Sequence, residues 1–150
     1  MSDTPQQRIE AEVKAAMKAG DKERLGTLRL LLTEIKNEKI RRMGEVDEAG
    51  FVGLVRKAIK QREESTAQYK AGGRPELAAK EEAEAKILAG FLPAQVDEGQ
   101  IRDAIVALVD EKGLTGPAAI GPVMKEMLAR FGSSADGGTI NRIAREVLGK

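Results

Sequence analysis

The sequence predicts an all-α protein, and three observations carry that expectation. Its 150 residues are rich in Ala, Glu, Lys, Leu and Arg, with 3% aromatic residues and no Trp, a mix that favours helix over sheet. Apolar residues recur at helical spacing inside segments bounded by Gly, Pro or Asp. No stretch alternates apolar and polar residues as a half-buried strand would, and no turn signal joins two β-rich runs.

Seven helices follow in order. The first runs from about Pro5, a residue suited to a helix start, to Ala19. Ile9, Val13, Ala16 and Met17 share one of its faces, and Gly20 is a natural C-terminal cap. Asp21 caps the second helix, which reaches about Met43 and is closed by Gly44. Leu25, Leu28, Leu31, Leu32 and Ile35 form its apolar stripe, and the positions that continue the stripe are Lys39, Arg42 and Met43. A core-facing stripe that ends in cations predicts that this helix outruns its core. Asp47 opens the third helix, which carries Val52, Val55 and Ile59 and runs to the Gly72-Gly73 pair. Pro75 starts the fourth, which ends near Leu92 because Pro93 cannot continue it. Residues 92–96, LPAQV, read as a linker. Asp97 caps the fifth helix, with Ile101, Ile105 and Leu108, up to Gly113. Pro117 begins the sixth, with Ile120, Val123, Met124, Met127 and Leu128, up to Gly132. The polar loop SSADGG leads to the seventh, which holds Ile140, Ile143, Ala144 and Val147. The expected architecture is a four-helix, bundle-like N-terminal domain over residues 1–93, with a long hairpin made by the second and third helices. A small three-helix domain over residues 94–150 follows.

Composition narrows the function. The formal net charge is +1, from 25 basic and 24 acidic residues, so nucleic-acid binding would have to rest on a local patch. Residues 1–93 carry 18 basic and 16 acidic side chains, and residues 94–150 carry 7 and 8. With no Cys and no His, the chain lacks a thiol nucleophile, an imidazole base and the commonest metal ligands. No catalytic residue, metal or cofactor is expected. The N-terminus lacks the apolar core of a signal peptide and carries acids that transit peptides avoid. No segment approaches the roughly 18 apolar residues of a membrane span. The expectation is a cytoplasmic protein with no membrane association.

One cluster stands out as a candidate binding surface. Between Lys36 and Arg74 there are ten cations and six acids. If the second and third helices form an antiparallel hairpin around Gly44, Lys36, Lys39, Arg41 and Arg42 approach Arg56, Lys57 and Lys60 near its tip. Like charges gathered there repel one another, which a polyanion would relieve; an ordinary solvated helix surface is the alternative. In the same hairpin Arg24 and Glu63 lie at matching distances from the turn, and a register-fixing salt bridge is expected. The loop GSSADGG, residues 132–138, lacks a preceding strand and a Gly-Lys-Ser/Thr run. Asp136 as a helix cap accounts for it better than a phosphate site does. Adjacent acids such as Glu63-Glu64 and Glu81-Glu82 point in different directions on a helix and make poor catalytic pairs.

Taken together, TLRLLLTEIKNEKI (27–40), KQREESTAQYKAG (60–72), AKILAGFLP (85–93) and ADGGTINRIAREVL (135–148) resemble the YqeY family, also called GatB/YqeY-domain proteins. The resemblance covers nearly the whole chain. Gly72-Gly73, where the family more often has one Gly, and Gly90 inside a helix end are small departures. The resemblance implies a helical N-terminal bundle and a small three-helix domain, similar to the tail of the B subunit of the tRNA-dependent glutamyl/aspartyl amidotransferase. Related modules are appended to some glutaminyl-tRNA synthetases. It therefore implies a non-catalytic module that works in translation, with tRNA, a tRNA-charging enzyme or an amidotransferase as partner. Two alternatives are a protein-interaction adaptor and a carbon–nitrogen ligase with glutamine as amide donor. The amidotransferase's own kinase and amidase chemistry lies outside the tail, and the resemblance carries no catalytic residue onto this chain.

Overall fold

A computed structural model describes residues 3–149. Among these residues there are seven α-helices and no strand: α1 (Pro5–Ala19), α2 (Lys22–Arg42), α3 (Glu48–Ala71), α4 (Pro75–Ala89), α5 (Glu98–Lys112), α6 (Ile120–Phe131) and α7 (Gly137–Val147). Tight turns over Pro117–Ala119 and Gly132–Ser134 flank α6. Two compact units divide the chain, one ending at Leu92 and the other beginning at Pro93.

Local chemistry sets most helix ends. Thr4 and Gln7 cap α1 reciprocally: the Thr4 hydroxyl accepts from the Gln7 N–H at 3.2 Å, and the Gln7 amide oxygen accepts from the Thr4 N–H at 2.9 Å. Asp97 and Gln100 repeat that device on α5. Asp21 and Asp47 cap α2 and α3 by accepting from Arg24 and Gly50. Asp136 occupies the cap position of α7, but its side chain accepts no backbone bond there. Its carboxylate takes the Thr139 hydroxyl at 3.4 Å. α4 stops at Ala89, short of the expected Leu92, because Gly90, Phe91 and Leu92 turn inward on three-residue bonds before Pro93.

The end of α2 also departs from expectation. Met43, the residue before Gly44, takes the left-handed conformation at φ 58° and ψ 41°. The Gly44 N–H bonds the Lys39 carbonyl and the Met43 N–H bonds the Ile40 carbonyl, each at 3.2 Å, a closure that glycine usually makes. The Met43 side chain is 92% exposed.

In the first unit Ile9, Leu31, Ile35, Val46, Phe51, Val55 and Leu88 form one buried cluster. Each such side chain contributes about 1.5–3 kcal/mol by leaving water. α1 packs chiefly on α2 and α3 chiefly on α4, while α2 meets α3 and α4 less extensively. The expected salt bridge fails for this reason. Arg24 turns to α1, pairing with Glu12 at 3.0 Å, and its guanidinium lies over the Phe91 ring at 5.5 Å. One of the bridges that tie α3 to α4 comes from the residue before Glu63: Arg62 sits between Glu84 at 2.8 Å and Glu81 at 3.5 Å. Met17, expected on the core face of α1, is exposed, with the Arg29 guanidinium 4.0 Å from its sulfur.

In the second unit Ile101, Ile105, Val123, Met127, Ile140 and Ile143 are among the buried residues. Ion pairs join α5 to α7: Arg102 bonds Glu146, and Arg142 bonds Glu98 at 2.7 Å; within α7, Arg142 also reaches Glu146 at 3.2 Å. These donors, Arg102 foremost, hold the Glu146 carboxyl below its ordinary 4.5. Hydrogen bonding to Glu98 raises Arg142.

Two outcomes are expected. Met43→Gly removes left-handed strain of about 1 kcal/mol, partly offset by the greater unfolded-state entropy of glycine. Urea denaturation should show a net gain of about a few tenths of a kcal/mol, and a loss would mean that Met43 makes a compensating contact. Glu146→Gln should lower the urea midpoint at neutral pH. A carboxyl whose folded pKa is depressed stabilises the fold above its unfolded pKa, and that contribution is lost as pH falls through the folded value. The gap between variant and wild type should therefore close in acid. A gap that stays constant down to strongly acid pH would assign the effect to packing.

Candidate nucleic-acid interface

The cations expected at the tip of α2 are largely neutralised by neighbouring carboxylates. Lys39 pairs with Glu45 at 2.7 Å. Arg41 bonds one oxygen of Glu38, and Arg42 reaches the other at 3.4 Å and Asp47 at 3.5 Å. Residues 36–48 hold four cations and four acids, so this segment has no net charge. Asp47 stays acidic: the Gly50 N–H foremost, and then Arg42, hold its carboxyl below its ordinary 3.8. Glu48 is engaged by Arg8 of α1 at 2.6 Å, and Arg8 also lies over the Phe51 ring at 5.5 Å.

Much of the basic excess between Lys36 and Arg74 is likewise met by acids that follow it in sequence. Arg62 is held by Glu81 and Glu84, Lys70 by Glu82 at 2.7 Å, and Arg74 by Glu76 at 3.0 Å. Arg56 is half-buried, and Lys57 and Lys60 are exposed on the outward side of α3. No ion pair involves Lys36, Lys57 or Lys60 among the described residues.

The structure exposes a different basic feature on α2. Lys22, Gly26, Arg29, Thr33, Lys36 and Ile40 alternate at three- and four-residue steps, so they share one helix face. Each of them is exposed. None of these six residues is an acid; Glu23, Glu34 and Glu38 lie about 100–160° around the helix from Lys22, and a groove beside Lys22 and Gly26 takes in Glu23 with Glu76 and Glu84 of α4. Lys22 and Lys36 stand about 20 Å apart along the axis. Among the described residues neither they nor Arg29 has a carboxylate partner, and the nearest contact of Arg29 is the Met17 sulfur. Ile40, 75% exposed, closes the face, and Met43 lies just beyond it. Of these cations, Lys36 is legible as a candidate from its sequence neighbourhood. Lys22 and Arg29 are not, because a linear window starting at Lys36 omits them. Projecting α2 as a wheel and asking where acids are missing would find them.

The GSSADGG loop is occupied structurally. The Ser133 carbonyl accepts from the Gln95 side-chain amide at 3.0 Å, and the Ser134 carbonyl accepts from the Val96 N–H at 2.9 Å. These bonds fasten the start of the second unit to the turn before α7. The chain has no His to serve either serine as a base.

Comparison with known proteins gives a consistent picture. The family model described as Yqey-like protein matches residues 6–148. A protein of Pyrenophora tritici-repentis named "Altered inheritance of mitochondria protein 41, mitochondrial" is 26% identical over 95% of this chain and 80% of its own length. Proteins of the same name from Lachancea thermotolerans and Vanderwaltozyma polyspora are 34% and 35% identical, over 69% and 56% of this chain. Those two matches cover about half of each relative, 53% and 46%. Among the described residues, no helix is long and apolar enough to cross a membrane.

Proposed function

The chain belongs to the YqeY family, and from that premise we propose that it is a non-catalytic helical module that binds tRNA or a tRNA-carrying enzyme. The acid-free face of α2 is the observation that supports this reading best. Three cations without carboxylate partners, arrayed on one rigid helix, suit a phosphate backbone, because each phosphate contact releases condensed counterions without first breaking an internal ion pair. The proposed contacts are Lys22, Arg29 and Lys36, with Lys57 and Lys60 as further cations; Lys39, Arg41, Arg42 and Arg56 are secondary. The proposal includes two domains divided near Pro93, the first a four-helix bundle. It places the protein in translation, in the cytoplasm or in the mitochondrial setting printed in its relatives' names.

A protein-interaction adaptor is the second reading. It is favoured by the exposed Ile40 and Met43 and by an open groove of about 580 Å³ between α3 and α4, floored by Ile59, Ala67, Ala85 and Ala89. A carbon–nitrogen ligase activity has no comparable support, since no group of side chains among the described residues combines a nucleophile, a base and an oxyanion site.

Fluorescence-anisotropy titrations of tRNA at several salt concentrations test the first reading. Binding should weaken linearly on a log–log plot of affinity against salt. K22A/R29A/K36A should lower affinity by about tenfold or more and flatten the slope by roughly two to three. No binding at low salt, or a triple variant that binds like wild type, would overturn the reading. A stoichiometric protein partner captured without RNA would favour the adaptor.

A further inference from the structure

We infer that Glu38 is an intramolecular competitor for the nucleic acid, holding back two arginines that would otherwise add to the cationic end of α2 beside that interface. This inference rests on the RNA-binding reading above and concerns the regulation of the same surface.

The geometry is specific. The Glu38 side chain is only 18% exposed, whereas Arg41 is 69% and Arg42 is 34% exposed. One carboxylate therefore sits inward and draws two guanidiniums onto it, one on each oxygen. Arg41 and Arg42 follow Ile40, so they sit at the same end of α2, about 100° and 200° around the helix from the acid-free face and beside it rather than on it. Asp47 provides a second carboxylate for Arg42 at 3.5 Å, and Glu45 holds Lys39 at 2.7 Å. The tip is thus a set of cations already supplied with anions.

A phosphate that takes Arg41 or Arg42 must share the guanidinium with a carboxylate or displace it, and that negative charge stays close to the incoming polyanion. The gain from pairing with phosphate is offset by the breaking of the internal ion pair and by like-charge repulsion between Glu38 and the phosphate. Lys22, Arg29 and Lys36 face no such exchange. The same helix therefore carries a ready set of cations and a reserved set, and the carboxylate of Glu38 separates them. Removing its charge while keeping its shape should release the reserved set.

The test compares Glu38→Gln with Glu34→Gln, using the full chain and tRNA. Both substitutions add one unit of charge on α2. Glu34 is exposed and makes no ion pair among the described residues, so it controls for bulk charge. E38Q should tighten binding by about five- to tenfold and steepen the salt slope by about one to two, while E34Q should change affinity less than half as much. Adding R41A/R42A to E38Q should erase the gain. E45Q, which frees Lys39, provides a second variant and should tighten binding in the same direction. If wild type binds but E38Q and E34Q behave alike, or if R41A/R42A leaves the E38Q gain intact, the competitor role is overturned and the RNA-binding reading survives. If neither wild type nor E38Q binds at low salt, both are overturned.

Discussion

The burial of one face of α2 is the constraint on which the first unit depends. Leu28, Leu31 and Ile35 are each at most 2% exposed, and α2 touches α1, α3 and α4. Val46 and Phe51, beyond the tip, close the cluster that Ile35 begins. A side chain as buried as Ile35 typically costs about 2–5 kcal/mol when cut back to Ala, a large share of the stability of a domain this size. Because the inward face cannot rotate without exposing these residues, the outward face is fixed as well. Lys22, Arg29 and Lys36 are therefore presented to solvent by the same interaction that holds the bundle together.

Charge is organised around that fixed orientation. The chain is nearly neutral in total, yet its ion pairs are unevenly distributed. α4 supplies carboxylates to α3, the loop after α2 supplies them to the tip, and the outward face of α2 receives none among the described residues. The exposed pairs among them contribute little stability each, about 0–1 kcal/mol, while Arg62–Glu84 is largely buried. Their greater effect is to determine which cations remain available to a ligand. Net charge is a poor guide here, because a surface can be cationic over about 20 Å of helix while the molecule as a whole is not.

The helices and their ends are legible in the sequence because they depend on near neighbours. Asp21, Asp47 and Asp97 cap through the N–H three residues ahead, and Gly20 and Gly113 end helices in the left-handed conformation, at φ 70° and 62°. Met43 breaks the pattern: it closes α2 in the left-handed conformation, at φ 58°, that its own side chain disfavours. Which helices pair is not legible: an apolar stripe states that a face is buried but not against what. The stripes therefore point Arg24 toward Glu63 of α3, whereas Glu12 on α1 is its partner. The candidate surface suffers from a related limit. Counting charges along the chain gathers Lys39, Arg41 and Arg42 without the carboxylates folded back onto them, and it separates Lys22 and Arg29 from Lys36.

The two groups of buried side chains share no residue, and the chain passes from one unit to the other at Pro93. The bonds that Gln95 and Val96 make to Ser133 and Ser134 belong wholly to the second unit. A genetic exchange falling at residue 93 would therefore leave both cores whole and keep that clasp with the part it serves. Such a boundary makes the two buried cores separable at one position in the chain, each with the contacts that complete it on its own side.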